Sequence, residues 1–182
     1  MTPRRLRLAG ALAAAVVVVL LAGSLWRPEG PTVIGGHPLQ GKPAPDFELT
    51  DLDGRKVHLA GLRGRPVIVY FWASWCIPCR TEFPLLKGAL EAHADDGLAV
   101  IGVVFEDSAE NARGFMADYE APWPAVMDPD HRVADAYRVH VPPLTFYVDA
   151  TGIVRTVSFG PPPSGSLEGL LAKILPAASP SP

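Results

Sequence analysis

The sequence predicts an α/β protein with a mixed central β-sheet and helices on both faces of that sheet. Two uninterrupted apolar runs, Val67–Trp72 and residues 98–105, are typical of strands that are covered on both sides. A helical pattern separates the two runs, and this order of elements implies a right-handed parallel crossover. Residues 144–149 and 153–159 flank a turn at residues 150–152 and predict an antiparallel hairpin. Parallel and antiparallel pairs are therefore expected in one sheet.

The N-terminal segment predicts a transmembrane anchor. Residues 1–7 carry three arginines, and the next 19 residues, 8–26, contain no charged side chain. Such a run matches the hydrocarbon thickness of a bilayer, and its basic flank favours a cytoplasmic N-terminus with the rest of the chain outside. The alternative is a cleaved signal peptide, with a small-residue cleavage site at residues 22–24. The sequence therefore predicts a single-pass protein of the cell membrane whose main domain lies in an oxidising compartment outside the cytoplasm.

The rest of the chain divides into a linker, one domain and a tail. Residues 27–40 are rich in Pro and Gly without periodicity and predict a linker, in which His37 is expected to be solvated. Residues 41–176 are the predicted domain, and residues 177–182 a disordered tail.

The domain opens with a predicted N-terminal β-hairpin over residues 41–59, in which His58 falls on the polar phase and is expected to be exposed. A helix should follow the cysteines and run to about His93, with a kink near Pro84. The remaining predicted elements are a helix over residues 109–119 capped by Asp107 or Ser108, an extended segment over 122–128, one or two helical turns over 131–137 and a final helix over 166–175.

The first apolar run stops at Cys76 and Cys79, the only cysteines in the chain. Pro78 is acceptable in a first helical turn, so Cys76 is predicted to lie where a strand passes into a helix N-terminus. Free N–H groups and the helix dipole favour a thiolate at this position. With Cys79 one turn later, a mixed disulfide formed by Cys76 can be resolved within the molecule. The pair is therefore interpreted as a two-electron redox couple with Cys76 as nucleophile and Cys79 as resolving residue.

Two other interpretations of the cysteine pair are weaker. A zinc site needs two more ligands, and the chain offers no second cysteine pair and no two histidines at ligand spacing. A purely structural disulfide across so short a loop would remove little chain entropy. We therefore predict no metal and no cofactor.

The chain resembles the thioredoxin superfamily, and within it the membrane-tethered TlpA/ResA/CcmG branch of extracytoplasmic thiol-disulfide oxidoreductases. The matching segments are residues 41–47, 71–80, 82–84 and 143–149, and the resemblance extends in register over roughly residues 37 to 176. It implies a thioredoxin-like fold.

The resemblance also implies a cis-proline loop that faces the cysteines and offers backbone groups to a substrate strand. This chain departs from the family pattern there, because Pro142 removes an amide donor and Leu144 replaces a polar side chain. The residues expected to contact a substrate are Pro143, Thr145, Trp75 and Pro78.

Glu82 matches an acidic residue that lies near the cysteines in ResA-like proteins, where a buried carboxylate can transfer a proton. The alternative is an exposed glutamate in the first helical turn, stabilised by the helix dipole. Tyr70 occupies the position of the buried aspartate of thioredoxins proper, which argues against an ordinary cytoplasmic thioredoxin. His140 precedes the proline loop and is expected to be a solvated loop residue.

The leading functional hypothesis is an anchored enzyme that reduces protein disulfides outside the cytoplasm. In the resembled family the substrates include the Cys-x-x-Cys-His haem site of apocytochrome c and copper-site assembly proteins, and electrons arrive from a membrane thiol transporter. The net charge of −3 gives no electrostatic case for nucleic acid.

Three alternatives differ in chemistry. A disulfide-forming oxidant would use the same couple in reverse, and the sequence leaves the direction open. A copper-binding assembly protein would use Cys76, Cys79 and His140 as ligands, although copper chaperones of this fold space their cysteines by three residues. A peroxidase is disfavoured because Val69 and Ala73 occupy positions of the peroxidatic motif.

Overall fold

An eight-stranded mixed sheet lies at the centre of the part of the chain that the computed structural model describes, residues 33–176. The sheet order is β1-β8-β7-β4-β5-β6-β2-β3. The strands are β1 (Val33–Ile34), β2 (Glu48–Asp51), β3 (Lys56–His58), β4 (Val67–Trp72), β5 (Ala99–Val104), β6 (Ala125–Met127), β7 (Leu144–Val148) and β8 (Val154–Phe159).

The parallel pairs are β4 with β5 and β5 with β6, and every other neighbouring pair is antiparallel. The predicted parallel pairing of the two apolar strands, the predicted hairpin of β7 with β8 and the predicted N-terminal hairpin of β2 with β3 are therefore confirmed. His58 is exposed, as predicted, and its Nε2 lies 2.9 Å from Asp46 Oδ2.

The helices in the described range are α1 (Cys79–Ala92), α2 (Ala109–Asp118), α3 (Arg132–Ala136) and α4 (Leu167–Leu171), and a 3₁₀ turn covers Leu59–Leu62. Helix α1 ends one residue before His93 and contains Pro84, close to the prediction. At α2 the predicted cap is confirmed, since the Ser108 hydroxyl accepts a hydrogen bond of 3.1 Å from the Asn111 N–H. Helix α4 is shorter than the predicted span of residues 166–175.

Strand β4 is buried on both faces, which explains its continuous apolar sequence. Alternate side chains pack into two separate cores, because successive residues of a strand point to opposite faces. One core receives Val67, Val69 and Phe71 from β4. The other, which lies against α1, receives Ile68, Tyr70 and Trp72.

The predicted linker needs correction at its C-terminal end. Strand β1 adds to the sheet edge with Val33 opposite Phe159, so the chain joins the sheet before residue 41. His37 is buried rather than solvated, and its ring meets the Phe146 ring edge-on at 5.0 Å between centroids. Its Nδ1 accepts a hydrogen bond of 3.2 Å from the Leu39 N–H. Burial, assisted by the charge of Arg138, lowers the pKa of His37.

Within residues 33–176, none of the helices has the length and apolar character needed to cross a membrane. The predicted flank at residues 1–7, the predicted anchor at 8–26 and the predicted tail at 177–182 lie outside the described residues.

Candidate active site

Cys76 and Cys79 form a disulfide at the point where β4 leads into α1. Their sulfur atoms are 1.98 Å apart and their Cα atoms 5.3 Å apart. After β4, a hydrogen bond of 3.2 Å from the Cys76 N–H to the Ala73 carbonyl closes the turn that carries the first cysteine. The helix then begins at Cys79, with Pro78 as its N-cap. The sequence therefore predicted the position of the helix N-terminus closely, although Pro78 is the N-cap and not, as predicted, a residue of the first helical turn.

The two cysteines differ in exposure and in backbone surroundings. Cys76 is 3% exposed and Cys79 is fully buried. The Cys79 N–H, one of the free donors at the helix start, points at Cys76 Sγ over 3.2 Å. A negative charge on Cys76 would therefore be stabilised by this donor and by the helix dipole. Unlike Cys76, Cys79 exposes no part of its side chain to solvent.

Two contacts hold the turn before the cysteines against the loop that follows β5. The Ser74 N–H donates to Asp107 Oδ2 over 2.7 Å, and the Trp75 Nε1–H donates to the Glu106 carbonyl over 3.0 Å. This hydrogen bond orients the Trp75 ring, and half of the residue stays exposed beside the turn with the cysteines.

The Pro142–Pro143 peptide bond is cis, as the resemblance implied for Pro143. Strands β4 and β7 are antiparallel, with Phe71 opposite Leu144, so the end of β4 and the beginning of β7 lie at the same edge of the sheet. The proline loop and the turn with the cysteines therefore share this edge. The Pro143 carbonyl accepts a hydrogen bond of 3.1 Å from the Gly160 N–H, which ties the loop to the end of β8.

Glu82 is fully buried, so the alternative of an exposed glutamate in the first helical turn is wrong. It lies one helical turn after Cys79, and its Oε1 accepts a hydrogen bond of 2.5 Å from the Thr145 hydroxyl. Burial raises the pKa of Glu82 to about 8, and the hydrogen bond from Thr145 opposes this rise only in part. Thr145 is therefore a buried partner of Glu82 rather than a side chain on the substrate surface.

Several buried hydroxyl groups lie near Glu82, and of these the sequence assigned only Thr145 to the site, as a residue that contacts the substrate. Tyr70, Thr145 and Ser158 lie opposite one another across β4, β7 and β8. The hydroxyl of Tyr147 lies 3.4 Å from that of Ser158. Burial, followed by the nearby Glu82 charge, raises the pKa of Tyr70 and of Tyr147. The two-residue period of the strands could have identified these residues, because it places them on the face of the sheet that packs against α1, the helix that carries Glu82.

Apolar side chains are exposed around the disulfide. Ile77, between the cysteines, is 76% exposed, and Val141, just before the proline loop, is 66% exposed. Pro78 is also exposed, and so is His140, as expected for a solvated loop residue. Among residues 33–176, no three His, Cys, Asp or Glu side chains are arranged to hold a metal ion. The surface offers contacts to an apolar polypeptide segment.

A redox-capable disulfide at a helix start, a cis-proline loop at the same sheet edge and a mixed sheet with helices define a thioredoxin-like thiol-disulfide oxidoreductase. The comparison with family models agrees, because residues 40–157 match the AhpC/TSA family. The chain belongs to this family.

The relatives are thiol-disulfide oxidoreductases. ResA of Bacillus cereus is 32% identical over 136 residues, covering 75% of this chain and 79% of the relative. ResA of Bacillus subtilis is 35% identical over 121 residues, covering 66% and 68%. Among solved structures, a thiol:disulfide interchange protein DsbE from Chlorobium tepidum aligns with a TM-score of 0.69 at 32% identity, over 74% of this chain and 97% of that one. The resemblance found in the sequence is confirmed.

Proposed function

We propose that this thiol-disulfide oxidoreductase works as a protein-disulfide reductase on the extracytoplasmic side of the cell membrane. The observation that supports this direction of electron transfer, from the protein to the substrate, is the chemical environment of the two sulfur atoms. Ile77 and Pro78, between the cysteines, carry no charge, and Cys79 is fully buried. A strong oxidant of this type needs a reduced form with a well-stabilised thiolate. Here the helix start favours a Cys76 thiolate, but neither residue between the cysteines adds a positive charge to stabilise it further.

The first step of the proposed reaction is attack by the Cys76 thiolate on one sulfur of a substrate disulfide. A bond forms between Cys76 Sγ and that sulfur, and the substrate S–S bond breaks. The released substrate thiolate takes up a proton from solvent. Trp75, Ile77 and Val141 present the apolar surface against which a substrate segment would lie.

In the second step Cys79 loses its proton and its sulfur attacks Cys76 Sγ. The mixed disulfide breaks, the second substrate sulfur leaves as a thiolate that is then protonated, and the Cys76–Cys79 disulfide forms. Two electrons have passed from the protein dithiol to the substrate. We propose that Glu82, which lies one helical turn away, accepts the proton that Cys79 loses. Its pKa of about 8 allows Glu82 to accept and release a proton near neutral pH.

The proposed substrates are disulfides in extracytoplasmic proteins, including the Cys-x-x-Cys-His haem site of apocytochrome c. The support for this is the resemblance to the TlpA/ResA/CcmG branch and the similarity to ResA proteins. A membrane thiol protein would return the disulfide to the dithiol form and so supply the two electrons.

The reduction potential of the full-length protein, measured against glutathione or dithiothreitol buffers, tests the direction. We expect a reducing couple, nearer the roughly −270 mV of thioredoxin than the roughly −120 mV of a strong oxidant. A value above about −160 mV would favour the disulfide-forming alternative instead.

Anchoring is a separate proposal, which the uncharged run at residues 8–26 supports. Full-length protein should stay in the membrane pellet after a high-salt wash, because a spanning helix is held by burial of apolar surface rather than by charge. A soluble product that begins near Leu25 would show that the segment is a cleaved signal peptide.

A further inference from the structure

Among the described residues, five buried side-chain atoms have no hydrogen-bond partner, and besides Glu82 Oε2 three of them, the Tyr70 hydroxyl, Trp72 Nε1 and Trp123 Nε1, belong to the core against α1. Glu82 uses Oε1 to accept from Thr145, whereas its Oε2 is buried and unpaired. The hydroxyl of Tyr70 is likewise buried and unpaired. Buried polar groups in folded proteins nearly always find a partner, either in the protein or in an internal water. Of these atoms, the Glu82 and Tyr70 oxygens are ones that a single internal water can satisfy together.

The two side chains lie in the same layer between the sheet and α1. Tyr70 is the Cα partner of Thr145, whose hydroxyl is bonded to Glu82. The Tyr70 ring also packs at 5.7 Å, centroid to centroid, against Phe83, the residue after Glu82. Burial is the largest cause of the raised pKa of Tyr70, and the charge of the Glu82 carboxylate is the next largest. Both side chains therefore share one enclosed polar region.

We propose that Tyr70 is a positioning residue for Glu82, its hydroxyl bound to the free carboxyl oxygen through one internal water. The water donates to Glu82 Oε2 and accepts from, or donates to, the Tyr70 hydroxyl. Thr145 fixes one carboxyl oxygen and this bridge fixes the other. The carboxyl group is thereby held in one orientation below Cys79.

The bridge also sets how readily Glu82 ionises. A hydrogen bond donated to a carboxylate favours its charged form and offsets part of the cost of burial. The titratable groups that face this region are Tyr70 on β4 and Tyr147 on β7, with Tyr119 after α2 acting on Tyr70, while Cys79 on α1 does not titrate in the disulfide. None of them carries a positive charge, so hydrogen bonds alone are left to stabilise the ionised carboxyl. The functional consequence, a Glu82 able to exchange a proton with Cys79, rests on the proposed function.

The first test begins with the wild-type protein, whose result does not depend on the folding of a variant. In the oxidised full-length protein, with ¹³C-labelled tyrosine and glutamate, the Tyr70 ring carbon that bears the hydroxyl should shift with the same midpoint pH as the Glu82 carboxyl carbon. In Glu82→Gln this step in the Tyr70 signal should vanish. A Tyr70 signal that stays constant through the titration of Glu82 would overturn the proposal.

The second test removes the hydroxyl alone. Tyr70→Phe should move the Glu82 midpoint upward by about one pH unit, because the ionised carboxyl loses a donor. Tyr137→Phe is the matched control, since it deletes a buried tyrosine hydroxyl from the opposite face of the sheet, where that hydroxyl donates to the Pro45 carbonyl over 2.9 Å. An unchanged midpoint in Tyr70→Phe, or an equal shift in Tyr137→Phe, would contradict the assignment.

A high-resolution crystal structure of the oxidised protein checks the water itself. A water within hydrogen-bonding distance of both Tyr70 Oη and Glu82 Oε2 is expected, and its replacement by a direct contact or by empty space would overturn the bridge. All three measurements are made without a substrate. If the protein proves not to be a reductase, the results of these measurements still stand. If the water bridge proves absent, the reduction potential still tests the proposed function independently.

Discussion

At the residue scale, the two cysteines should have separate roles because their surroundings differ. Cys76 Sγ faces the Cys79 N–H at the helix start and keeps slight exposure, whereas Cys79 is fully buried. The surroundings of Cys76 stabilise a thiolate and admit a substrate sulfur, whereas the surroundings of Cys79 do neither. Cys76 is therefore the expected point of attack, and Cys79 acts after the mixed disulfide has formed.

Replacing Cys79 with Ser should leave a protein that attacks disulfides but cannot resolve the product. Mixed disulfides with partner proteins should accumulate through Cys76, and they can be detected as reducible adducts on non-reducing gels and identified by mass spectrometry. Cys76→Ser is the matched control and should trap no partner. Equal trapping by the two variants would contradict the assignment of roles, and a cytochrome c apoprotein among the adducts would support the proposed substrate.

Residues of the site could be predicted from the sequence to different extents. Cys76 and Cys79 were predicted because their spacing and their place after an apolar run are visible in the chain itself. Glu82 remained ambiguous because a glutamate in a first helical turn is exposed or buried according to how the helix rotates against the sheet. Its partner Thr145 lies 63 positions further along the chain, and only the folded sheet brings the two together.

At the element scale, prediction succeeded for the long apolar strands and failed for the two-residue strand β1. The strands β4 and β5 each present six residues of nearly continuous apolar sequence. Strand β1 has two residues, in a stretch rich in Pro and Gly, and its stability comes from pairing with β8 near the end of the chain. Such pairing depends on tertiary contacts rather than on local propensity, so the segment was predicted as a linker.

Strand β5 contains a glycine whose lack of a side chain fixes the packing beneath the active-site turn. A Cβ at Gly102 would lie 2.6 Å from Trp72 Nε1 and 3.2 Å from Trp123 Nε1. Trp72 is the last residue of β4 and leads directly into the turn with the cysteines. The two indole rings therefore occupy the space that any larger residue at position 102 would need.

Gly102→Ala should destabilise the protein by about 1–3 kcal/mol, because overpacking forces a ring or the backbone to move. The free energy of unfolding from urea denaturation of the oxidised protein is the measurement. Gly114→Ala in α2 is the matched control, since no atom lies within 4 Å of a Cβ at that exposed position. It should stabilise the protein by about 0.5–1 kcal/mol, because alanine favours the helix. Equal effects of the two substitutions would refute the packing argument.

At the scale of the whole molecule, the fold brings distant segments to one edge of the sheet. The end of β4 carries the cysteines, the beginning of β7 carries the proline loop, and the antiparallel pairing of these strands places both at that edge. The resemblance found in the sequence was sufficient to predict this arrangement. Apart from Thr145, the buried hydroxyl groups below it were not predicted, because they come from strands whose register is set only by folding.

The burial of Glu82 should also control how the stability of the whole molecule depends on pH. The pKa of this carboxyl rises from 4.5 to about 8 on folding. Between these two values the folded protein keeps a proton on Glu82 that the unfolded chain releases, so the contribution of Glu82 to the free energy of unfolding falls as the pH rises through this window. The loss is bounded at about 5 kcal/mol by the size of the pKa difference.

Glu82→Gln tests this linkage, because the amide keeps an oxygen that can accept from Thr145 but cannot ionise. The free energy of unfolding of the oxidised proteins, measured by urea denaturation between about pH 4.5 and pH 8, should fall more steeply in the wild type than in the variant. The two proteins should be similar in stability near the acid end, and the variant should become the more stable one near pH 8. Other titrating groups, such as His93 with its raised pKa beside Asp96 and Glu168, are common to both proteins and cancel in the difference. Parallel stability curves for the two proteins would mean that the pKa of Glu82 is not raised in the folded core, and the proton transfer assigned to it would then lack its physical basis.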